Sequence, residues 1–197
     1  MCMPETAVNF TNQFLIAMPG KVGEPFDGTV IYLCEHNEKG ALGLVINKPI
    51  DISLKNLFEK VDLSLDRVDL AETPVYFGGP VQTERGFVLH ERLDGKNGEG
   101  GHYNSSLQIP GGLEMTTSKD VLEALSSGAG PKKILVTLGY SGWGAGQLED
   151  EMIRNGWINV DAEPSIIFDT PFGERYDKAL SLLGIDVRML SQDAGHA

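Results

Sequence analysis

Apolar residues come in short runs in this chain, and Gly or Pro closes most of them. Phe14-Leu15-Ile16-Ala17-Met18 stops at Pro19-Gly20, and Thr29-Val30-Ile31-Tyr32-Leu33-Cys34 gives way to a polar stretch from Glu35 to Gly40. Such runs match the usual strand of ~5–6 residues and fall far short of the ~20 that a membrane helix needs. Gly turns the backbone where a Cβ would clash, and Pro removes a ladder donor, so each ends a strand for its own reason. The expected fold is therefore built of many short strands and tight turns.

Residues 29–34 and 41–46 flank the polar turn and read as a hairpin, ended by Asn47-Lys48-Pro49. Further strands are expected at 74–77, 86–91, 105–109, 113–116, 157–160 and 165–168, with 133–138 the most hydrophobic and central. Gly78-Gly79-Pro80 breaks between two of them. Helical spacing appears between them. After Ser53, a natural N-cap, Leu54, Leu57, Phe58 and Val61 fall on one helix face. Ser118 is expected to cap a helix over 119–127 with Val121, Leu122 and Leu125 inward, closed by Gly128. A third helix is expected near 146–155, ended by Gly156, and a fourth after Thr170-Pro171, running to about residue 183 before Gly184. Residues 94–104 are too polar and Gly-rich to pack. Hairpins dominate the first half and strand–helix alternation the second. The reading is an α+β single domain over residues 10–190, with a large mixed, mostly antiparallel sheet and flanking helices. Residues 1–9 are expected to be a flexible N-terminus and 191–197 a flexible tail.

Charge and cysteine usage narrow the function classes. The net charge is −12, and the basic residues are scattered, with Lys132-Lys133 the only adjacent pair. Phosphate binding needs clustered Lys and Arg, so tight direct nucleic-acid binding is disfavoured. The two cysteines, Cys2 and Cys34, have no disulfide or zinc spacing. Residues 1–6 lack the basic and apolar regions of a secretion signal. The expected location is the cytoplasm, off the membrane, with reduced thiols.

The stretch Gly139 to Gly146 has the strand–loop–helix layout of a phosphate cradle, but Gly142, Gly144 and Gly146 do not give G-x-G-x-x-G and no Gly-Lys-Ser/Thr follows. Glu149, Asp150 and Glu151 would repel an anion there, so the stretch reads as turn chemistry, and the acidic run as a solvated helix face. Ser141 fails as a nucleophile elbow because Trp143 stands where that pattern needs Gly. Tyr140, Gly142, Trp143, Gly144 and Trp157 form a candidate ligand or partner surface; the tryptophans serve equally as lids on the core. Cys34 and His36, two apart, are expected to share a strand face, and with His90 they make a candidate reactive cluster. The bland alternative is a buried Cys and a turn-capping His. No metal set and no cofactor motif is present in the sequence.

Taken in order, several stretches resemble the AlgH/YqgE family of bacterial proteins. They are Phe14 to Pro19, Thr29 to His36, Gly40 to Pro49 (GALGLVINKP), Gly78-Gly79-Pro80-Val81, Arg85 to His90, Leu138 to Glu149 (LGYSGWGAGQLE) and Asn155-Gly156-Trp157. In many relatives the position of Ser141 resembles Ala, and Lys48 is often Arg. The resemblance implies a mixed α+β fold with a large sheet, and some members are labelled transcriptional regulators. It implies no catalytic or ligand-binding residues. Three readings follow: a non-enzymatic binding or regulatory protein with a protein or small-molecule partner, an enzyme with a site near Cys34, His36 and His90, and a regulator that contacts DNA directly.

Overall fold

The computed structural model describes residues 8–92 and 103–185. The expected tail, most of the expected N-terminus and most of the 94–104 loop lie outside these residues, as do Cys2, His102 and His196. Strands β1 (Gln13–Ala17), β2 (Val30–Asn37), β3 (Gly40–Val45), β4 (Pro49–Ser53), β5 (Pro74–Phe77), β6 (Val81–Glu91), β7 (Ser106–Ile109), β8 (Leu113–Thr116), β9 (Ile134–Gly144) and β10 (Trp157–Asp161) form one ten-stranded sheet. Its main path runs β10-β1-β2-β3-β9-β6-β8-β7. All pairings are antiparallel except β5 with β9. The helices are α1 (Leu54–Lys60), α2 (Val68–Ala71), α3 (Asp120–Ser126), α4 (Gln147–Ile153), α5 (Pro164–Phe168) and α6 (Arg175–Ser181). None is long and apolar enough to cross a membrane.

The sheet curls, and one side of it holds the largest core. Phe14, Tyr32, Leu44, Phe87, Leu89, Ile109 and Leu135 meet there under Ile166 and Ile167 of α5 and Ala179 and Leu180 of α6. The opposite side carries two separate cores. One joins Leu15, Ile31, Leu33, Trp143 and Trp157 to Leu148 of α4. The other joins Val75, Val88 and Val136 to Leu54 and Phe58 of α1 and to Val121 and Leu125 of α3. Among the described residues, Arg175 of α6 is buried with no carboxylate partner. It donates to the Ile46 and Thr170 carbonyls and lies 4.9 Å over the Tyr76 ring. Carbonyl dipoles and a ring face thus replace the water around its charge.

β9 is the central strand, as its hydrophobicity predicts, but it is far longer than 133–138. The expected turn at 139–146 is a continuation of β9 through Gly144. Its C-terminal half pairs with β3, Gly43 facing Ser141 and Gly40 facing Gly144. The glycines serve a chain crossing. A Cβ on Gly79 would lie 2.1 Å from the Tyr140 carbonyl oxygen, and one on Gly139 would lie 2.3 Å from the Gly79 oxygen. Ser141 is fully buried and donates to the Gly78 carbonyl at 3.0 Å, an acceptor also used by the Val45 N–H.

Other expectations are revised. Residues 165–168 form helix α5: Pro164 sits in its first turn, and Ile166 and Ile167 are both buried. Consecutive strand residues would point to opposite faces, whereas a short helix turns both toward one core. Thr170 does not start the next helix; its hydroxyl donates to the Ser165 carbonyl, and Pro171 leads into a 3-10 turn over Phe172–Glu174 before α6. The Ser118 hydroxyl donates to Asp120 Oδ1, and the Asp120 carboxylate accepts the Val121 N–H. The Ser53 cap on α1 forms as read, accepting the Asn56 N–H at 3.3 Å. β4 and α2 carry no periodicity long enough to announce them.

Gly139 has φ 77°, while Gly142 and Gly144 have no left-handed φ. Gly139→Ala is therefore expected to lower stability by more than the ~1 kcal/mol of a strained φ, because the added methyl also meets the crossing segment. Gly144→Ala, with only the Gln147 side chain at 3.9 Å, is expected to melt like the parent. Ser141→Ala should fall between, at about 1 kcal/mol, since Gly78 keeps its second donor. Thermal melts of the three variants check this order.

Candidate functional site

The β2–β3 hairpin and the end of β9 frame a groove of about 570 Å³, open on one side. Leu42 of β3 faces Gly142 of β9, and Glu35 of β2 faces Leu42. Tyr140 lies beside Gly142; a Cβ there would sit 3.2 Å from the tyrosine ring. Glu35, Asn37 and Lys39 edge the groove with polar groups, and Val81 of β6 closes one end. Tyr140 reaches this place through the bend at Gly139. Leu138 packs with α1 and α3, whereas Tyr140 packs on the largest core and meets Phe87 edge-on at 5.5 Å. Regular alternation would have kept 138 and 140 on one face.

Of the five surface candidates, Tyr140, Gly142 and Trp143 border this groove and Gly144 sits at its margin. Trp157 does not border it. Trp143 and Trp157 lie on the other side of the sheet, edge-to-face at 6.1 Å, with relative exposures of 7% and 3%. Each indole N–H donates to the same oxygen, Glu151 Oε2, at 2.8 Å. Gln147, one helical turn earlier on α4, steadies the other oxygen at 3.3 Å. A buried indole N–H needs an acceptor, and α4 delivers one carboxylate to two of them. The lid reading thus describes both side chains, and what Trp143 offers the groove is its edge and backbone.

The acidic run at 149–151 is more than a solvated face. Glu149 Oε1 lies 2.5 Å from His36 Nε2, and His36 Nδ1 accepts the Phe10 N–H at 3.0 Å. That acceptor role places the imidazole proton on Nε2, donated to Glu149. Burial pushes the Glu149 carboxyl up, but its own backbone N–H and His36 outweigh this and hold it below its ordinary 4.5. The signal for both contacts lay in unpaired partners: one His and one Trp before α4 and one Trp after it, around a helix rich in carboxylates.

Cys34, His36 and His90 do not converge. A bulge between Leu33 and Glu35 breaks the alternation of β2. Cys34 stays with Val30 and Tyr32 in the largest core, while His36 turns to the other face and stacks on Phe10 at 5.2 Å and 16°. The expectation that the two share a strand face is therefore corrected by this bulge. The Cys34 thiol is buried, and burial pushes its pKa well above the usual thiol range. His90 pairs with Ile134 at the start of β9, whereas His36 reaches β9 through Ala41 at Trp143. Nine residues of strand separate these positions, up to about 30 Å along β9. His90 is held by the Glu91 carbonyl and the Thr116 hydroxyl, both at 2.8 Å. Among the described residues, no three His, Cys, Asp or Glu are grouped to hold a metal.

The chain is thus an α+β protein built on one curled, largely antiparallel sheet with a glycine crossing. Residues 14–188 match the family model described as AlgH-like, and the chain belongs to that family. It is 63% identical to a UPF0301 protein of Cupriavidus pinatubonensis and 62% identical to one of Burkholderia vietnamiensis, in each case over the whole of both chains. The solution structure of the AlgH protein from Pseudomonas aeruginosa is 44% identical, covers 100% of both chains and superposes with a TM-score of 0.76. A crystal structure of a Corynebacterium diphtheriae protein, 20% identical over 85% of this chain and 84% of its own, shares the fold with a TM-score of 0.66.

Two outcomes follow from this geometry. In a Cys2→Ala variant, an alkylating reagent should label Cys34 in the native protein at least about tenfold more slowly than in the unfolded chain, since reaction needs an exposed thiolate. Glu149 is depressed in the folded state, so its contribution to stability is present above about 4.5 and is lost as pH falls through the folded value. Glu149→Gln should accordingly flatten the acid limb of the stability curve below about pH 4.5, measured by urea unfolding at stepped pH.

Proposed function

We propose that this chain is a cytoplasmic, non-enzymatic binding or regulatory protein that receives a segment of a partner protein in the Tyr140 groove. The observation that carries this is the groove itself: a strand floor left bare at Gly142, apolar contact from Leu42 and Tyr140, and a polar edge of Glu35, Asn37 and Lys39. A small molecule in a dedicated site has ~70–90% of its surface covered. This groove is open along one side and suits a protein segment better. The groups that a reaction would draw on are committed elsewhere. The Ser141 hydroxyl is bonded to Gly78, the Cys34 thiol is in the core, and His90 is bonded at both nitrogens. The net charge of −12 weighs against gripping DNA.

A photo-crosslinking residue in place of Tyr140 should yield discrete protein adducts in native lysate, and the same residue at exposed Ile153 on α4 should not. Gly142→Trp adds bulk to the groove floor, where its Cβ lies 3.2 Å from the ring at position 140, so it should abolish those adducts, with a thermal melt alongside to show that the fold persists. Adducts at both positions alike, or none at Tyr140, would remove the groove from consideration. Sub-micromolar duplex DNA binding at ~150 mM salt would instead favour direct DNA contact.

A further inference from the structure

Three consecutive residues ahead of β1 are fastened to β2 in three different ways. Among the described residues, the one hydrogen bond that ties Phe10 to a distant part of the chain runs from its N–H to His36 Nδ1, at 3.0 Å. Thr11 is held by the backbone of His36 instead: its hydroxyl accepts the His36 N–H at 2.9 Å and donates to the His36 carbonyl at 3.4 Å. Asn12 is held further along β2, donating its N–H to the Leu33 carbonyl at 2.8 Å and accepting the Tyr32 hydroxyl at 2.7 Å. Its φ of 63° turns the chain there. Only the Phe10 bond depends on the state of the imidazole ring. Residues 8–10 thus form a strap anchored at Thr11 and Asn12, with its catch on His36.

The catch holds only while Nδ1 carries no proton. A neutral imidazole accepts at one nitrogen and donates at the other, whereas an imidazolium donates at both. A proton on Nδ1 therefore sets two N–H donors against each other at 3.0 Å. Nothing at the other nitrogen opposes it: Nε2 already points at Glu149 Oε1, and the carboxylate attracts the new charge. The Glu149 side chain is 40% exposed and the His36 side chain 2%, so the carboxylate also links the ring to solvent. The other charged groups on the elements around the ring are engaged elsewhere. Glu151 of α4 is taken by the two indoles and Gln147, while Asp150 and Glu38 stand exposed to water. Glu35 and Lys39 edge the groove on the opposite face. Ala41, opposite His36 on β3, and Trp143 beyond it carry no charge. We propose that His36 is an acid-released catch: proton uptake at Nδ1 ejects the Phe10 N–H and frees residues 8–10, while Glu149 keeps the ring in place. The catch lies on the face away from the Tyr140 groove, so its test is independent of partner binding there.

Amide-hydrogen exchange and imidazole carbon shifts, followed by NMR over a descending pH series, test this. With rates corrected for the intrinsic pH dependence of exchange, protection of the Phe10 amide should fall at least about tenfold as the His36 ring titrates, with the same midpoint. The Asn12 amide, bonded to Leu33, should keep its protection across that step. His36→Gln offers an amide oxygen and no proton site, so the Phe10 step should vanish. Glu149→Gln leaves the imidazole in place but removes the attraction for its charge, so the step should move to lower pH; this variant carries the test should His36→Gln fail to fold. The proposal is overturned if the ring takes up its proton with Phe10 still protected, or if it stays neutral until the whole protein unfolds. It is equally overturned if Phe10 and Asn12 open together, if the step survives in His36→Gln, or if Glu149→Gln leaves it at the parent's pH.

Discussion

Three backbone segments meet where the Gly78-Gly79 connection crosses β9, and the rest of the structure is arranged around that contact. The Gly78 N–H donates to the Leu138 carbonyl, while the Gly78 carbonyl accepts from Val45 and Ser141. Those bonds tie β3, the β5–β6 connection and β9 together at one point. Carbonyls and N–H groups buried this deeply must find partners, and they find them in each other only if no side chain intervenes. The crossing also explains how one strand serves two neighbours on the same edge. β9 pairs with β5 up to Leu138 and with β3 from Ser141, and the crossing occupies the gap.

Two local irregularities then decide what each side of the sheet carries. The left-handed bend at Gly139 shifts Tyr140 to the side of the largest core, and the bulge at Cys34 sends His36 to the other. Each is a one-residue slip that exchanges the faces of all that follows in its strand. The groove is a product of the first slip. The contact between β2 and α4 is a product of the second, because His36 could not otherwise reach Glu149.

Much of the fold was legible in the sequence, because short apolar runs between Gly and Pro leave few choices. The hairpin of 29–46, the Ser53 cap and the central strand beginning near 134 all follow from local chemistry. The 139–146 stretch misled because glycine signals a turn and a close approach with the same letter, and only the crossing segment distinguishes them. The strand expected at 165–168 failed for a related reason: Ser-Ile-Ile-Phe is equally apolar in either form, and Pro164 settled it as a helix. The candidate surface was half legible. Tyr140, Gly142 and Trp143 do gather at one groove, but no periodicity reveals a bulge, so the grouping of Cys34 with His36 and His90 could not be checked from spacing.

The shared acceptor at Glu151 gives the protein a property of its own. The chain has only two tryptophans, and both sit at this carboxylate with their rings 6.1 Å apart. All of its indole emission therefore originates from one corner, where α4 meets the start of β10. Excitation passes between the two rings at that range, and their spectra respond together to whatever charge or water reaches the single oxygen between them. The molecule thus carries a built-in optical gauge of how firmly α4 is seated, readable without any label.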